Sequence, residues 1–529
     1  MQITGLLDYF YGPDSTKQVV QVTPHLKQEI QIKPAISMLP FPTLIRVDRN
    51  TDAAVYQQIA NQLVTLIRDG RIQPGSRLPG SREMAALLKV HRKTIVAAYE
   101  ELNAQDWIEI IPRKGISVSR HLPELKPRTF KAATKATAFT GPAGFPFPNK
   151  FSMPSFDPPK QPHRLQINDG FPDYRLAPMD LLLRAYKSLL TERQYKKFIP
   201  QTSFAGTIPL RETMTRFLTE TRGLRIQPEN LIITHGAQMA IFIAAQLILD
   251  KGDYVIVSRP NYYIANKTFE QAGARLLGVP VDDQGMDVDA IESLCRKKKI
   301  RMLYIVPHHH HPTTVTLSMD RRMRLLDIIR RYKIAVIEDD YDYDFHYSSG
   351  PILPLASADH EGNVIYIGSL TKTLNPSIRL GYMVATPDLI AHATHLRRII
   401  DIRGDHLIED AMALLIQNGD LARHLKKSNK IYHVRRDYCC QLLEDQLSDR
   451  IRLRKPDGGL AIWAQFDPAY PLPLLAAHAA TSGLIMNDGS SYNDGQTNYN
   501  ALRIGFAALR EGEMDQVAEI LKKACAAIR

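Results

Sequence analysis

The chain is poor in cysteine, with four in 529 residues, and poorer in tryptophan, with two. Cys295, Cys439, Cys440 and Cys525 show none of the paired spacing of a zinc site, and adjacent Cys439 and Cys440 are not expected to bridge each other. Free thiols in a reducing compartment are expected. No apolar run reaches the length of a membrane span, so no membrane partner is expected. Met1–Phe10 lacks the basic start and long apolar core of a secretory leader. These absences point to the cytoplasm. Internal repeats are also lacking, and residues 1–50 carry no motif and receive no function.

What is there is a globular composition, 44% hydrophobic and 23% charged, in a chain long enough for more than one domain. The net charge of +12 permits a nucleic-acid partner without proving one. From Ala54, the residues Ile59, Leu63, Leu66 and Ile67 fall on one helical face. Gly70 and Pro74-Gly75 end that helix, and Ser81 is a plausible N-cap for a second, which buries Met84, Ala85 and Leu88. A third helix buries Ile95, Ala98, Tyr99 and Leu102 and leaves Arg92, Lys93 and Thr94 at an exposed N-terminal end. Trp107–Ile111 and Ile116–Ser119 alternate like strands around Pro112-Arg113-Lys114-Gly115.

Two short helices, a tight turn and a basic hairpin describe a winged helix-turn-helix, whose third helix enters the major groove of DNA. Between Arg71 and Lys93 there are six basic residues and one acid, Glu83, so positive charge clusters where phosphates would lie. Arg77, Ser81, Arg82, Arg92, Lys93, Thr94, Arg113 and Lys114 are the candidate DNA contacts. A solvated basic face on a small helical domain is the alternative. Between Leu122 and Arg164 proline occurs nine times without periodicity, the composition of a linker. Fully flexible, it would span roughly 35 Å, and proline makes it longer and stiffer.

From Leu165 short buried strands (Leu231–Thr234, Tyr254–Val257, Met302–Val306, Ile334–Ile337, Val364–Ile367 and Gly381–Ala385) alternate with helical patterns such as Gln238–Leu249 and Arg321–Tyr332. This predicts an α/β domain with a mostly parallel sheet and its ligand at the carboxyl ends of the strands. The organising stretch is Gly368-Ser-Leu-Thr-Lys372-Thr-Leu-Asn-Pro-Ser-Ile-Arg379, between two of those strands. A lysine held there and desolvated has a lowered pKa and can form a Schiff base, while Ser369, Thr371 and Arg379 could hold a phosphate. A solvated loop lysine fits the same letters.

Gly236-Ala237-Gln238 opens a helix whose free amides suit a phosphate, although small residues there also serve packing. Tyr262 offers a ring to stack on a flat cofactor, or is simply packed. Asp339 could keep a pyridine nitrogen protonated, and Tyr341 could bond a phenolic oxygen. The neighbouring Glu338, Asp340, Asp342 and Asp344 leave a solvated acidic turn or a metal site as alternatives. His308 to His311 point alternately to opposite faces on extended chain and cannot gather on one ion, so no metal is expected. One or two of them, His310 in particular, are expected to line the pocket.

Two resemblances follow from these residues. Tyr56-Gln-Gln-Ile59, Gly70-Arg-Ile-Gln-Pro-Gly-Ser-Arg-Leu-Pro-Gly-Ser-Arg82 and Thr94-Ile-Val-Ala-Ala-Tyr99 resemble the GntR family of bacterial regulators. Two departures are His91, where that family usually has a capping Ser, implying a weaker helix start, and a wing with a single glycine. The order strand–Gly-Ala-Gln, strand–Pro-x-Tyr, strand–Asp-x-Tyr, strand–Ser-x-Thr-Lys, then Arg, resembles the fold-type I pyridoxal-phosphate enzymes of the aspartate aminotransferase class. Joined to the head, the whole resembles the MocR family of regulators. The run Pro307-His-His-His-His311-Pro312 departs from both, lacking the glycine that follows the proline in aminotransferases.

The resemblance implies an internal aldimine on Lys372, Asp339 at the pyridine nitrogen, Tyr341 at the phenolic oxygen and Tyr262 on the ring. It places Ala237, Gln238, Ser369, Thr371 and Arg379 around the phosphate, and Arg503 on an effector carboxylate. It divides the chain into an unassigned extension (1–50), a winged head (51–120), a linker (121–164) and an aminotransferase-like domain (165–529). The expected protein is a pyridoxal-5'-phosphate-dependent, homodimeric, nucleoid-associated regulator that binds operator double-stranded DNA and an amino-compound effector. The rivals are a working aminotransferase with a basic accessory head, and a DNA-binding protein whose large domain has lost its cofactor.

Overall fold

A computed structural model describes residues 39–49, 51, 53–111, 115–122, 143–147, 165–190, 203–347, 350, 352–493 and 496–528. Most of the Pro-rich stretch, and Arg113 and Lys114 of the wing, lie outside the described residues. The chain divides into two units, one within residues 1–148 and the other within 149–529.

In the first unit a single turn, α1 (Phe41–Leu44), precedes α2 (Val55–Arg68), β1 (Arg77–Leu78), α3 (Ser81–Leu88), α4 (Arg92–Ala104), β2 (Ile108–Ile111) and β3 (Gly115–Val118). The stripes of α2 and α4 meet: Ile59, Leu63, Leu66 and Ile67 share one core with Ile95, Ala98, Tyr99 and Leu102. Ser81 is not the cap of α3. Gly80 holds that position, because the Pro79-Gly80 turn delivers the chain one residue earlier, and the Ser81 hydroxyl instead accepts from Arg92 Nε at 3.4 Å. At α4 the His91 Nδ1 accepts from the Lys93 N–H at 3.2 Å, so an imidazole takes the role expected of a serine. Strand β1 pairs with β3 and makes the wing three-stranded; two residues are too few for alternation to reveal.

The head begins before residue 51. Phe41 and Ile45 are buried in its core. Two glutamines of α2 bind the incoming backbone on both of its polar groups: Gln62 accepts from Arg46 N–H at 2.9 Å and donates to Arg46 O at 2.8 Å, and Gln58 does the same at Asp48 at 3.0 and 2.8 Å.

The second unit holds β4 (Leu165–Gln166), β5 (Leu231–Thr234), β6 (Tyr254–Arg259), β7 (Arg275–Asp282), β8 (Gly285–Met286), β9 (Ile300–Ile305), β10 (Ala335–Asp339), β11 (Val364–Ser369), β12 (Gly381–Val384), β13 (Ile451–Leu453), β14 (Ala461–Phe466), β15 (Leu484–Ile485) and β16 (Ala501–Gly505). The main sheet runs β5-β12-β11-β10-β9-β6-β7-β8. Strands β7, β6, β9, β10 and β11 are parallel neighbours, whereas β12 runs antiparallel to both β11 and β5. Successive strand residues feed opposite cores. Ile337, Ile365 and Ile367 pack with the helix Ala237–Ile248, while Val336 and Val364 pack with the helix Met319–Tyr332. A smaller sheet, β13-β14-β16, packs with the long helix Asp420–Leu447 and the last helix, Glu511–Ile528. The parallel pair β15-β4 leads the chain at residues 168–171 to β16, where the Gly505 N–H donates to Asn168 O at 2.9 Å.

Phe41→Ala should destabilise the head by about 3 kcal/mol. The two tryptophans divide between the units, so a Trp463→Phe background leaves Trp107 as the reporter. Denaturant unfolding of the full chain followed by its fluorescence should show the loss, and an unchanged transition would remove the lead-in from the head.

Candidate functional site

On the head, Arg77, Arg82, Arg92 and Lys93 are exposed, and Ser81 and Thr94 are half-buried. Burial of Ile95, Ala98 and Tyr99 fixes the roll of α4, and the Tyr99 hydroxyl donates to Pro79 O at 2.8 Å, tying α4 to the turn before α3. The basic N-terminal end of α4 therefore faces water with its first turn already capped.

In the large unit the carboxyl ends of five strands converge. Register places Gly381, the first residue of β12, beside Ser369 of β11 and Thr234 of β5. A Cβ on Gly381 would lie 2.4 Å from the carbonyl carbon of Gly236 and 2.7 Å from the Ala237 nitrogen. The positive φ of Gly236 and its approach to Arg379, whose guanidinium would be 2.7 Å from a Cβ there, complete a tight cradle at a helix N-terminus. Arg379 donates to His235 O at 3.2 Å. Gln238 points its side-chain amide at Thr268 (2.8 Å), so at the cradle it offers its backbone only. Thr371 is committed similarly, donating its hydroxyl proton to Ile378 O at 3.0 Å, while the Ser369 hydroxyl accepts from the Thr371 N–H at 3.2 Å.

Lys372 lies beyond β11 with its Nζ donating to Gly170 O at 2.8 Å, over the Phe171 ring. Burial lowers its pKa to about 8, against the opposing pull of Asp169. Asp339 ends β10. Its Oδ2 accepts from the Tyr304 hydroxyl at 2.7 Å, and its Oδ1 is buried without a partner. Burial pushes this carboxyl up to about 7 despite the tyrosine's hydrogen bond. The Tyr341 hydroxyl donates to His309 O at 3.2 Å and accepts from Arg503 at 3.0 Å. Tyr262 stands edge-on to His311, with ring centroids 5.2 Å apart.

The histidine run separates into distinct roles. His308 pairs with Asp340 (3.1 Å) and His309 with Asp342 (2.9 Å). Both ring nitrogens of His310 are taken, by Ser258 Oγ and Thr313 Oγ1 at 2.8 Å each, so this side chain has no free nitrogen to offer a ligand. His311 lies beside Tyr262 and Tyr341, with Nε2 at 2.8 Å from Asp169 and Nδ1 unpartnered. Sequence reasoning missed Asp169, which also lies 3.1 Å from Arg503 Nε. It sits in Asn168-Asp-Gly-Phe171, a stretch with neither period nor charge cluster, and only its tertiary partners mark it.

Comparison with known proteins places these features. Residues 170–521 match the family model for aminotransferase class I and II, and residues 55–118 that for bacterial regulatory proteins of the gntR family. The chain is 28% identical to the probable rhizopine catabolism regulatory protein MocR of Rhizobium meliloti, over 80% of this chain and 84% of that one. It is 28% identical to the HTH-type transcriptional regulator TauR of Rhodobacter capsulatus, over 86% and 94%. Among solved structures it is similar to the α-aminoadipate aminotransferase LysN of Thermus thermophilus, complexed with N-(5'-phosphopyridoxyl)-L-leucine, at 24% identity and a TM-score of 0.64, covering 69% of this chain and 92% of that one. The kynurenine aminotransferase of Pyrococcus horikoshii aligns at 26% and 0.63, covering 68% and 91%.

The lowered pKa sets a pH signature. Modification of Lys372 by an amine-directed reagent, read by peptide mass spectrometry, should rise about tenfold per pH unit at low pH and level off above about 8, the pKa of its amine. A profile still climbing at pH 10 would mean a solvated lysine.

Proposed function

The chain belongs to the aminotransferase class I and II family, carries a GntR-family head and is a regulator of the MocR type dependent on pyridoxal 5'-phosphate, and from that premise we propose how its residues divide the work. The observation that carries the reading is the pair Lys372 and Asp339. Asp339 ends β10 and Lys372 lies three residues beyond the end of the adjacent parallel strand β11; Asp339 is buried, Lys372 is half-buried, and one oxygen of the Asp339 carboxylate has no protein partner. A ring N–H supplies the donor that Asp339 Oδ1 lacks, so the residues present fit the cofactor.

When bound, pyridoxal phosphate supplies an aldehyde that condenses with primary amines and a ring that withdraws electrons from the carbon beside the nitrogen. Lys372 provides the amine, and its lowered pKa keeps a useful neutral fraction near neutral pH. Asp339 holds the proton on the ring nitrogen. The backbone at Gly236–Gln238, Ser369 and Arg379 bind the phosphate; Thr371 braces that loop through Ile378. Tyr262 would pack against the ring, and Tyr341 with His311 would hold the phenolic oxygen. Arg503 orients an effector from the far end of the pocket. The head binds operator DNA through Arg77, Ser81, Arg82, Arg92, Lys93 and Thr94, together with Arg113 and Lys114 of the wing. A homodimer reading paired half-sites in the bacterial cytoplasm completes the proposal; no helix among the described residues is long and apolar enough to cross a membrane.

Reconstitution with pyridoxal phosphate should produce a visible absorbance band that Lys372→Ala abolishes, with footprinting revealing a preferred duplex. Keto-acid production at ordinary enzyme rates would instead favour a working aminotransferase. Absence of the band would leave the large domain as a dimerising scaffold.

A further inference from the structure

The ligand end of the pocket already contains an anion. Arg503 is 2% exposed. Its guanidinium donates to Tyr341 Oη at 3.0 Å and to Pro312 O at 3.3 Å. Its charge is met by Asp169, whose Oδ1 lies 3.1 Å from Nε. That Nε makes no hydrogen bond, so the contact is one of charge. Asp169 is itself anchored: His311 Nε2 meets its Oδ2 at 2.8 Å, and the Tyr492 hydroxyl donates to its Oδ1 at 3.3 Å. The backbone around it is fixed as well, through Gly505 N–H to Asn168 O at 2.9 Å and Phe171 N–H to Asn168 Oδ1 at 2.8 Å. Burial alone would raise this carboxyl, yet the hydrogen bond from His311 and the charge of Arg503 hold it below the usual carboxylate range. With 44% of its side chain exposed, the carboxylate remains open to a ligand.

We propose that Asp169 selects the effector: by neutralising Arg503 from within, it favours primary amines bearing a neutral or cationic group where an α-amino acid has its carboxylate. The inference rests on the cofactor reading of Lys372 and Arg503. A carboxylate arriving at the buried Arg503 brings a second negative charge onto a cation that is already paired. It must either share the guanidinium with Asp169, at the cost of like-charge repulsion, or displace a carboxylate fixed by His311 and Tyr492. A neutral amide meets neither cost, and a cationic tail is attracted to Asp169. The other ionisable groups facing this corner do not restore room for an anion. His311 is biased toward its neutral form by burial, Tyr341 and Tyr492 are held protonated by burial, and Lys372 is consumed by the cofactor.

The test uses the full chain loaded with pyridoxal phosphate, titrated with L-alanine and with L-alaninamide, which differ in charge at that one position, and followed by the visible band. The wild type should bind the amide at least tenfold more tightly than the acid. In Asp169→Asn the ratio should fall tenfold or more, through tighter binding of L-alanine. Asp169→Ala should move it in the same direction. A wild type that prefers L-alanine overturns the inference without recourse to any variant, as does a ratio unmoved in a variant that still shows the band. If the wild type shows no band, the cofactor reading fails instead, so the two failures are distinguishable.

Discussion

Two backbones touching at Gly381 and Gly236 set everything at the strand ends. No side chain fits between them, since even a Cβ on Gly381 would overlap the Gly236 carbonyl carbon. Because they touch, antiparallel β12 starts level with the ends of β5 and β11. That register delivers Arg379 from the end of one loop to the N-terminus of the following helix. A wider contact would separate the cation, the helix dipole and the amine by an ångström or more, which is enough to spoil a site that depends on their convergence.

The second constraint is how much charge is buried around this point. Asp339, Asp340, Asp342 and Glu338 are all nearly inaccessible, and each meets the cost differently. Glu338 accepts the backbone N–H groups of Leu355 and Ala356, both at 2.8 Å, and is structural. Asp340 and Asp342 pair with His308 and His309, so the histidine run after β9 and the acidic run after β10 zip together. Asp339, just before them, points the other way and keeps one oxygen unpaired. A cluster that reads from its letters as a metal site is thus tied up in hydrogen-bonded pairs, with two carboxylate oxygens, Asp339 Oδ1 and Asp342 Oδ2, left without a partner.

How much of this was legible follows from what kind of signal each part leaves. The buried strands and the α2 and α4 stripes stand out because burial on a regular element repeats with the element's period. Most boundaries moved by one or two residues, as at Tyr254–Arg259 and Ala335–Asp339, where the strands run on into polar letters that only their partners keep extended. Residues 231–234 and 364–385 carried their meaning in local order. Asp169 left no such trace, since its partners are 142 and 334 positions away in the chain. The different partners of His310 and His311 were equally hidden: adjacent identical residues differ only in which way the turn before Pro312 sends them. Short β1 and the upstream start of the head escaped for want of length.

The way the head is moored has a consequence for its history. Gln58 and Gln62 grip the incoming chain by peptide groups at residues 46 and 48, which every amino acid except proline offers alike. At those two residues the grip reads the backbone, and only at Thr51, whose hydroxyl accepts from Gln58 at 3.0 Å, does it read a side chain. At residue 46 substitutions can accumulate in silence, provided the two glutamines and the apolar anchors Phe41 and Ile45 persist. Across descendants of this chain Phe41 and Ile45 should persist together with Gln58 and Gln62, while position 46 drifts between them.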